Sequence, residues 1–130
     1  MIEPAPMNDQ LVLELYTRSI SASVAFYQQF GFQLLSSQPH FVELGWDRAQ
    51  IYLEEIEDAP LPSSGQASPN GRLVGNIRVL VPDVDRYWEL AQRLGCTVVK
   101  PIADRYYGLR DFTIAGPDGV GLRFASRLTQ

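Results

Sequence analysis

The sequence predicts an α+β fold of two tandem β-α-β-β-β modules, with the helices outside a curled mixed sheet. Two observations carry this. Apolar residues alternate with period two, change to helical spacing and return to period two, and the whole order occurs twice. Turn-forming and helix-ending residues also recur at matching places: Phe30-Gly31-Phe32 falls on Leu94-Gly95-Cys96 with an offset of 64, and Gly45-Trp46-Asp47 on Gly116-Pro117-Asp118 with an offset of 71. The extra residues lie around Ala103-Asp104-Arg105-Tyr106-Tyr107-Gly108.

Residues 1–130 are expected to form one domain, with module one over about 10–57, a linker over 58–75 and module two over about 76–126. Leu11–Tyr16 opens module one as a strand with Leu at alternate positions. Ser19–Phe30 reads as a helix: Ser19 or Ser21 caps it, Val24, Phe26, Tyr27 and Phe30 form its apolar stripe, and Gly31 stops it. Strands follow at 32–36, 40–44 and 50–54, with Gly45-Trp46-Asp47-Arg48 as the turn before the last. The linker holds three Pro, three Gly and three Ser, a composition that resists regular structure. Module two repeats the pattern with a strand at 76–81, a helix at 84–94 capped by Asp83 and closed by Gly95, and strands at 97–100, 110–115 and 121–125. Val84, Trp88 and Leu94 form the stripe of the second helix.

Composition narrows the function. A net charge of −4 and a pI near 4.9 offer no basic excess for phosphate backbones, so no nucleic-acid partner is expected. The lone Cys96 excludes an internal disulfide and any cysteine-rich zinc site, and reads as an inert small core residue. His40 is the sole histidine, which excludes multi-histidine centres and a Ser-His-Asp arrangement; it reads as a surface residue. Neither a signal peptide nor an apolar run of about 20 residues is visible, so no membrane association and a cytoplasmic location are expected.

Strand alternation separates two faces. Leu13, Leu15, Ile51, Leu53, Ile77, Val79, Leu122 and Phe124 belong on the side beneath the helices. The opposite side mixes Glu14, Tyr16, Tyr52, Glu54, Asn76, Arg78 and Arg123. A solvated sheet face is one outcome. If the half-sheets curl toward each other, these groups instead line a cleft for a small organic ligand.

Ser23-Val24-Ala25-Phe26-Tyr27 with Phe30-Gly31-Phe32, Val81-Pro82-Asp83-Val84-Asp85, and Tyr107-Gly108-Leu109-Arg110-Asp111-Phe112 with Pro117-Asp118-Gly119 carry a family likeness. In order and spacing they resemble the vicinal oxygen chelate superfamily of glyoxalases and bleomycin resistance proteins, over about residues 10–126. The resemblance implies a U-shaped cavity, often completed in a homodimer. It also implies that metal-dependent members hold a divalent ion from the first and last strands of each module. Those four positions here are Val12, Tyr52, Asn76 and Arg123, a set unsuited to a cation. The expectation is therefore a binding protein with no cofactor and no metal, of the type that sequesters an antibiotic or aromatic compound. Tyr16, Trp46, Tyr52, Tyr106 and Tyr107 would stack on the ligand, Arg78 and Arg123 pair with its anionic parts, and Glu14 and Glu54 with a cationic part. Asn76 completes the ligand-binding set. The alternative is a lyase, isomerase or dioxygenase-like enzyme with Glu14 or Glu54 as base or atypical metal ligand, and the bland account of those glutamates is pairing with Arg78 and Arg123.

Overall fold

The computed structural model describes residues 11–57 and 73–129. The chain divides into two compact units, Met1–Ala59 and Pro60–Gln130. Most of the expected linker, residues 58–72, lies outside the described residues; its last residue, Gly75, opens a strand.

The first unit runs β1 (Leu13–Thr17), α1 (Ile20–Gln29), β2 (Gln33–Gln38), β3 (Phe41–Trp46) and β4 (Ala49–Glu55). Its sheet has the order β1-β4-β3-β2, with β1 parallel to β4 and the other pairs antiparallel. Ser19 caps α1 by accepting the Ala22 N–H at 3.2 Å, while Gly31 takes the positive φ of 108° that ends it. Tyr27, Phe30, Phe32, Val42, Leu44 and Leu53 are buried together on the helix side. Gly45 and Trp46 were expected in a turn but belong to β3: the hairpin register continues to Trp46↔Ala49, leaving Asp47-Arg48 as a two-residue turn with Asp47 at φ 51°.

The second unit runs β5 (Gly75–Leu80), α2 (Val84–Arg93), β6 (Val98–Asp104), β7 (Leu109–Ala115) and β8 (Val120–Arg127), in the order β5-β8-β7-β6. Again the first strand is parallel to the last. Tyr87 stacks on Phe124 at 4.5 Å and Trp88 meets Phe112 edge-on at 5.1 Å, which seats α2 on the sheet. Leu94, expected in the helix stripe, is the C-cap residue and is exposed. β6 extends four residues past the expected Lys100, to Asp104, because paired bulges let it follow β7 farther. Ala103 and Asp104 are thus strand residues, and the remainder of the inserted segment, Arg105–Gly108, makes the turn.

The repeat extends to details of backbone conformation. Asp47 and Asp118, matched at the offset of 71, both have positive φ, as do Gly31 and Gly95 at the offset of 64. Each helix also has its first N–H capped from the closing strand. The Ile20 N–H donates to Glu55 Oε1 at 2.9 Å, and the Val84 N–H donates to Ser126 Oγ at 2.8 Å. Glu55 and Ser126 are themselves related by the offset of 71. Among the described residues no helix is long and apolar enough to cross a membrane.

Candidate functional site

Each sheet has one face covered by its helix and one facing away from it, and the expected ligand residues sort by that division. In the first unit, register places Glu14, Tyr52 and Glu43 in one row across β1, β4 and β3, and Tyr16, Glu54 and Phe41 in the next. Tyr52 donates its hydroxyl to Gln50 Oε1 at 3.3 Å and takes the Phe41 ring edge-on at 5.4 Å. Glu43 accepts the Ser36 hydroxyl at 2.8 Å. A hydrogen bond with Glu54, then desolvation and the repulsion between the two carboxylates, pushes the Glu14 carboxyl above its usual range. The face is therefore acidic and aromatic.

Trp46 stands apart from this group. Its half-buried ring packs against Phe32 at 5.1 Å on the helix side, so it is a core residue rather than a wall of the polar face.

The helix side of the first unit also carries an open groove of about 610 Å³, lined among others by Ile20, Val24, Leu34, Val42 and Glu55. Glu55 is already engaged there. Its carboxyl is held below the usual range first by the Ile20 N–H and then by His40, whose Nδ1 lies 3.1 Å away. His40 is a surface residue, as its sequence position suggested.

The second unit has a different electrostatic character. Arg78, Arg123, Thr113 and Lys100 are consecutive register partners across β5, β8, β7 and β6, so one row of the sheet carries three cations and a hydroxyl. In the next row Asp111 sits opposite Ala125 and is wholly buried. Its carboxylate accepts Arg105 Nε–H at 2.9 Å and the Tyr107 hydroxyl at 2.6 Å, and lies 3.1 Å from Arg123 Nη2. Arg123 Nη2 also donates to the Tyr107 oxygen, and its guanidinium lies 5.7 Å from the centre of the Tyr107 ring. Burial opposes the charged form of Asp111, but Tyr107, Arg105 and Arg123 outweigh it and hold the carboxyl below its usual range. The same hydrogen bond to Asp111 pushes the Tyr107 phenol upward.

Asn76 is the register partner of Gly121, and a Cβ there would lie 2.2 Å from Asn76 Oδ1, so the amide fits over a position that must lack a side chain. Tyr106 is almost fully exposed and touches Tyr107 edge-on at 5.1 Å. Arg110 points to the helix side and joins Asp85 at 2.9 Å and Asp104 at 3.1 Å, a tie between α2, β6 and β7.

Within their own units Glu14, Glu54 and Arg123 each have a near partner. Glu14 meets Glu54, and Arg123 is committed to Asp111. Asp111, Arg105, Thr113 and Lys100 join the face of Arg123 without being candidates from the sequence. Alternation along 110–115 already put Asp111 and Thr113 on the face opposite Phe112 and Ile114, and that was the available signal.

The four positions at which the resemblance implies metal ligands, Val12, Tyr52, Asn76 and Arg123, do not carry side chains that fit a cation. Valine has no donor, the Tyr52 phenol is turned to Gln50, and Arg123 brings a fixed positive charge. Among the described residues no group of three or more His, Cys, Asp or Glu could hold an ion.

The family model described as Glyoxalase/Bleomycin resistance protein/Dioxygenase superfamily matches residues 9–124. A glyoxalase/bleomycin resistance protein/dioxygenase from Nocardioides is similar at a TM-score of 0.71 and 20% identity, covering 98% of this chain and 87% of its own. Lactoylglutathione lyase from Agrobacterium tumefaciens is similar at 0.68 and 20%, covering 94% and 96%. A bleomycin resistance determinant encoded on the transposon Tn5 is similar at 0.66 and 16%, covering 92% and 98%. Comparison with curated proteins gives no match.

Proposed function

The chain belongs to the glyoxalase/bleomycin resistance protein/dioxygenase superfamily, and from that premise we propose that it binds and sequesters a small organic compound, of antibiotic or aromatic type, without a metal. The observation that carries this reading is the commitment of Arg123. The side chain at a position where metal-dependent relatives would place a ligand is a guanidinium, held by the buried Asp111 and Tyr107. A dication beside it would meet repulsion of several kcal/mol at low effective dielectric. Each unit's helix-free face carries groups an organic ligand can use instead: Tyr16 and Tyr52 with two glutamates on the first, Tyr107 with arginines on the second. A homodimer accompanies the reading, since β2 and β6 are edge strands that expose Leu34, Leu35, Val98 and Val99.

A second reading, a lyase or isomerase, has one observation in its favour. The Glu14 carboxyl is raised by its neighbour Glu54, as a proton-transferring group would be.

Calorimetric titration of the chelator-treated protein with nickel, zinc, manganese and iron(II) tests the choice. The expected result is no stoichiometric heat with any ion. Tight binding of one ion per chain would overturn the metal-independent reading, and Glu14→Ala and Glu54→Ala would then identify the ligands.

A further inference from the structure

We infer that the helix-free face of the second sheet is a receptor for an oxyanion, the carboxylate or phosphate group of a small organic ligand. The inference rests on the small-molecule reading above and names the chemistry of the group this face accepts.

Three observations point the same way. Arg78 and Arg123 are direct register partners on β5 and β8, and Lys100 continues their row through Thr113. Like charges placed opposite each other in a sheet repel, so the row is unfavourable until an anion joins it. The one carboxylate identified on this face, Asp111, cannot meet that need: it already takes Arg105, Tyr107 and a single nitrogen of Arg123. Arg78 and Lys100 have no ion pair among the described residues.

The unused hydrogen-bonding capacity has the matching polarity. Arg123 Nε and Thr113 Oγ1, from adjacent strands of this row, are buried and have no partner among the described residues. A guanidinium Nε–H donates only, and a threonine hydroxyl can donate, so both have donor capacity that acceptor oxygens would satisfy. Native structures rarely leave such groups unpaired, and an orphaned pair calls for a missing partner. An oxyanion supplies acceptor atoms and negative charge together, whereas an ammonium group supplies neither.

Asp111 and Tyr107 are then positioning residues. They hold Arg123 by Nη2 and leave its other nitrogens for the ligand, with Arg78 alongside as the second cation.

The test is calorimetric titration of the full chain in low-salt buffer with sodium benzoate, with inorganic phosphate, and with benzylammonium as the counterpart of opposite charge. Benzoate, phosphate or both should saturate at one per chain, the stronger of the two identifying the oxyanion, and benzylammonium should give no competing signal. Arg78→Ala should weaken the anion about tenfold, the effect of losing one charge-assisted contact. Arg78→Glu should abolish binding. Both substitutions are on an exposed side chain, and circular dichroism checks that the fold survives. Failure of both anions to saturate, or an unchanged affinity in Arg78→Glu, would overturn the inference. Binding of benzylammonium alone would overturn it while leaving small-molecule binding in place; stoichiometric metal binding is the separate result that removes the reading beneath it.

Discussion

Replacing Asp111 by Asn keeps the shape of the side chain and removes its charge. Asp111 is wholly buried, and its guanidinium partners Arg105 and Arg123 are 24% and 17% exposed. Breaking a buried ion pair from one side costs about 3–5 kcal/mol, because the remaining charge stays uncompensated. Both guanidiniums reach some water, so the lower end applies, roughly 3 kcal/mol. At an unfolding entropy of about 2 cal/mol/K per residue, this loss lowers the melting temperature of the 130-residue chain by roughly 10 °C. Differential scanning calorimetry at pH 7 measures it. The pH dependence provides an independent check. The native Asp111 carboxyl is held below its unfolded value, so its contribution is complete above the ordinary carboxylate range and disappears as pH falls through the native value. The gap between wild type and Asp111→Asn should therefore persist at pH 5 and close only in stronger acid. A loss under about 1 kcal/mol at pH 7 would place Asp111 among ordinary surface pairs and refute the reasoning.

Glu14 has the opposite sign. Its native carboxyl is raised, so what it contributes to stability is present below its unfolded value and lost as pH rises through the native one. Glu14→Gln should consequently raise the melting temperature at pH 7, with the gain vanishing near pH 4; a loss at pH 7 would show that Glu14 has a cationic partner. Ser126→Ala removes both the acceptor for the Val84 N–H and the donor to the Val81 carbonyl, each 2.8 Å away in a buried setting. Urea denaturation should register a loss of roughly 2 kcal/mol, and Ser126→Thr should recover part of it.

Much of the fold could be read from the sequence because the signals are local. Gly31 and Gly95 stop helices for a backbone reason that needs no tertiary context, and the alternation of Leu13, Leu15, Ile51 and Leu53 identifies a face whatever lies above it. Gly45 resembles a turn residue, yet the turn role belongs to Asp47 at φ 51° and Trp46 stays in the strand. Nothing in the residue pattern separates those two choices, since the decision is made by hairpin register. Asp111 was hidden for a similar reason. In a strand, an acid at an outward position looks solvated, and only the folding-back of Arg105 and Tyr107 from the preceding turn buries it. Alternation identifies Arg78 and Arg123 as candidates, but the network that pairs Arg123 and, among the described residues, leaves Arg78 without an ion pair depends on contacts across strands.

The caps on the two helices have a consequence for how the chain is made. Glu55 follows Ile20 by 35 residues, and Ser126 follows Val84 by 42. During synthesis each helix therefore emerges with its leading N–H open, and the group that closes it arrives with the last strand of the same module. Capping of each helix is thereby tied to the placement of the last strand of its own module. A nascent chain halted before Glu55 should leave α1 fraying in hydrogen exchange, and one released just beyond it should not.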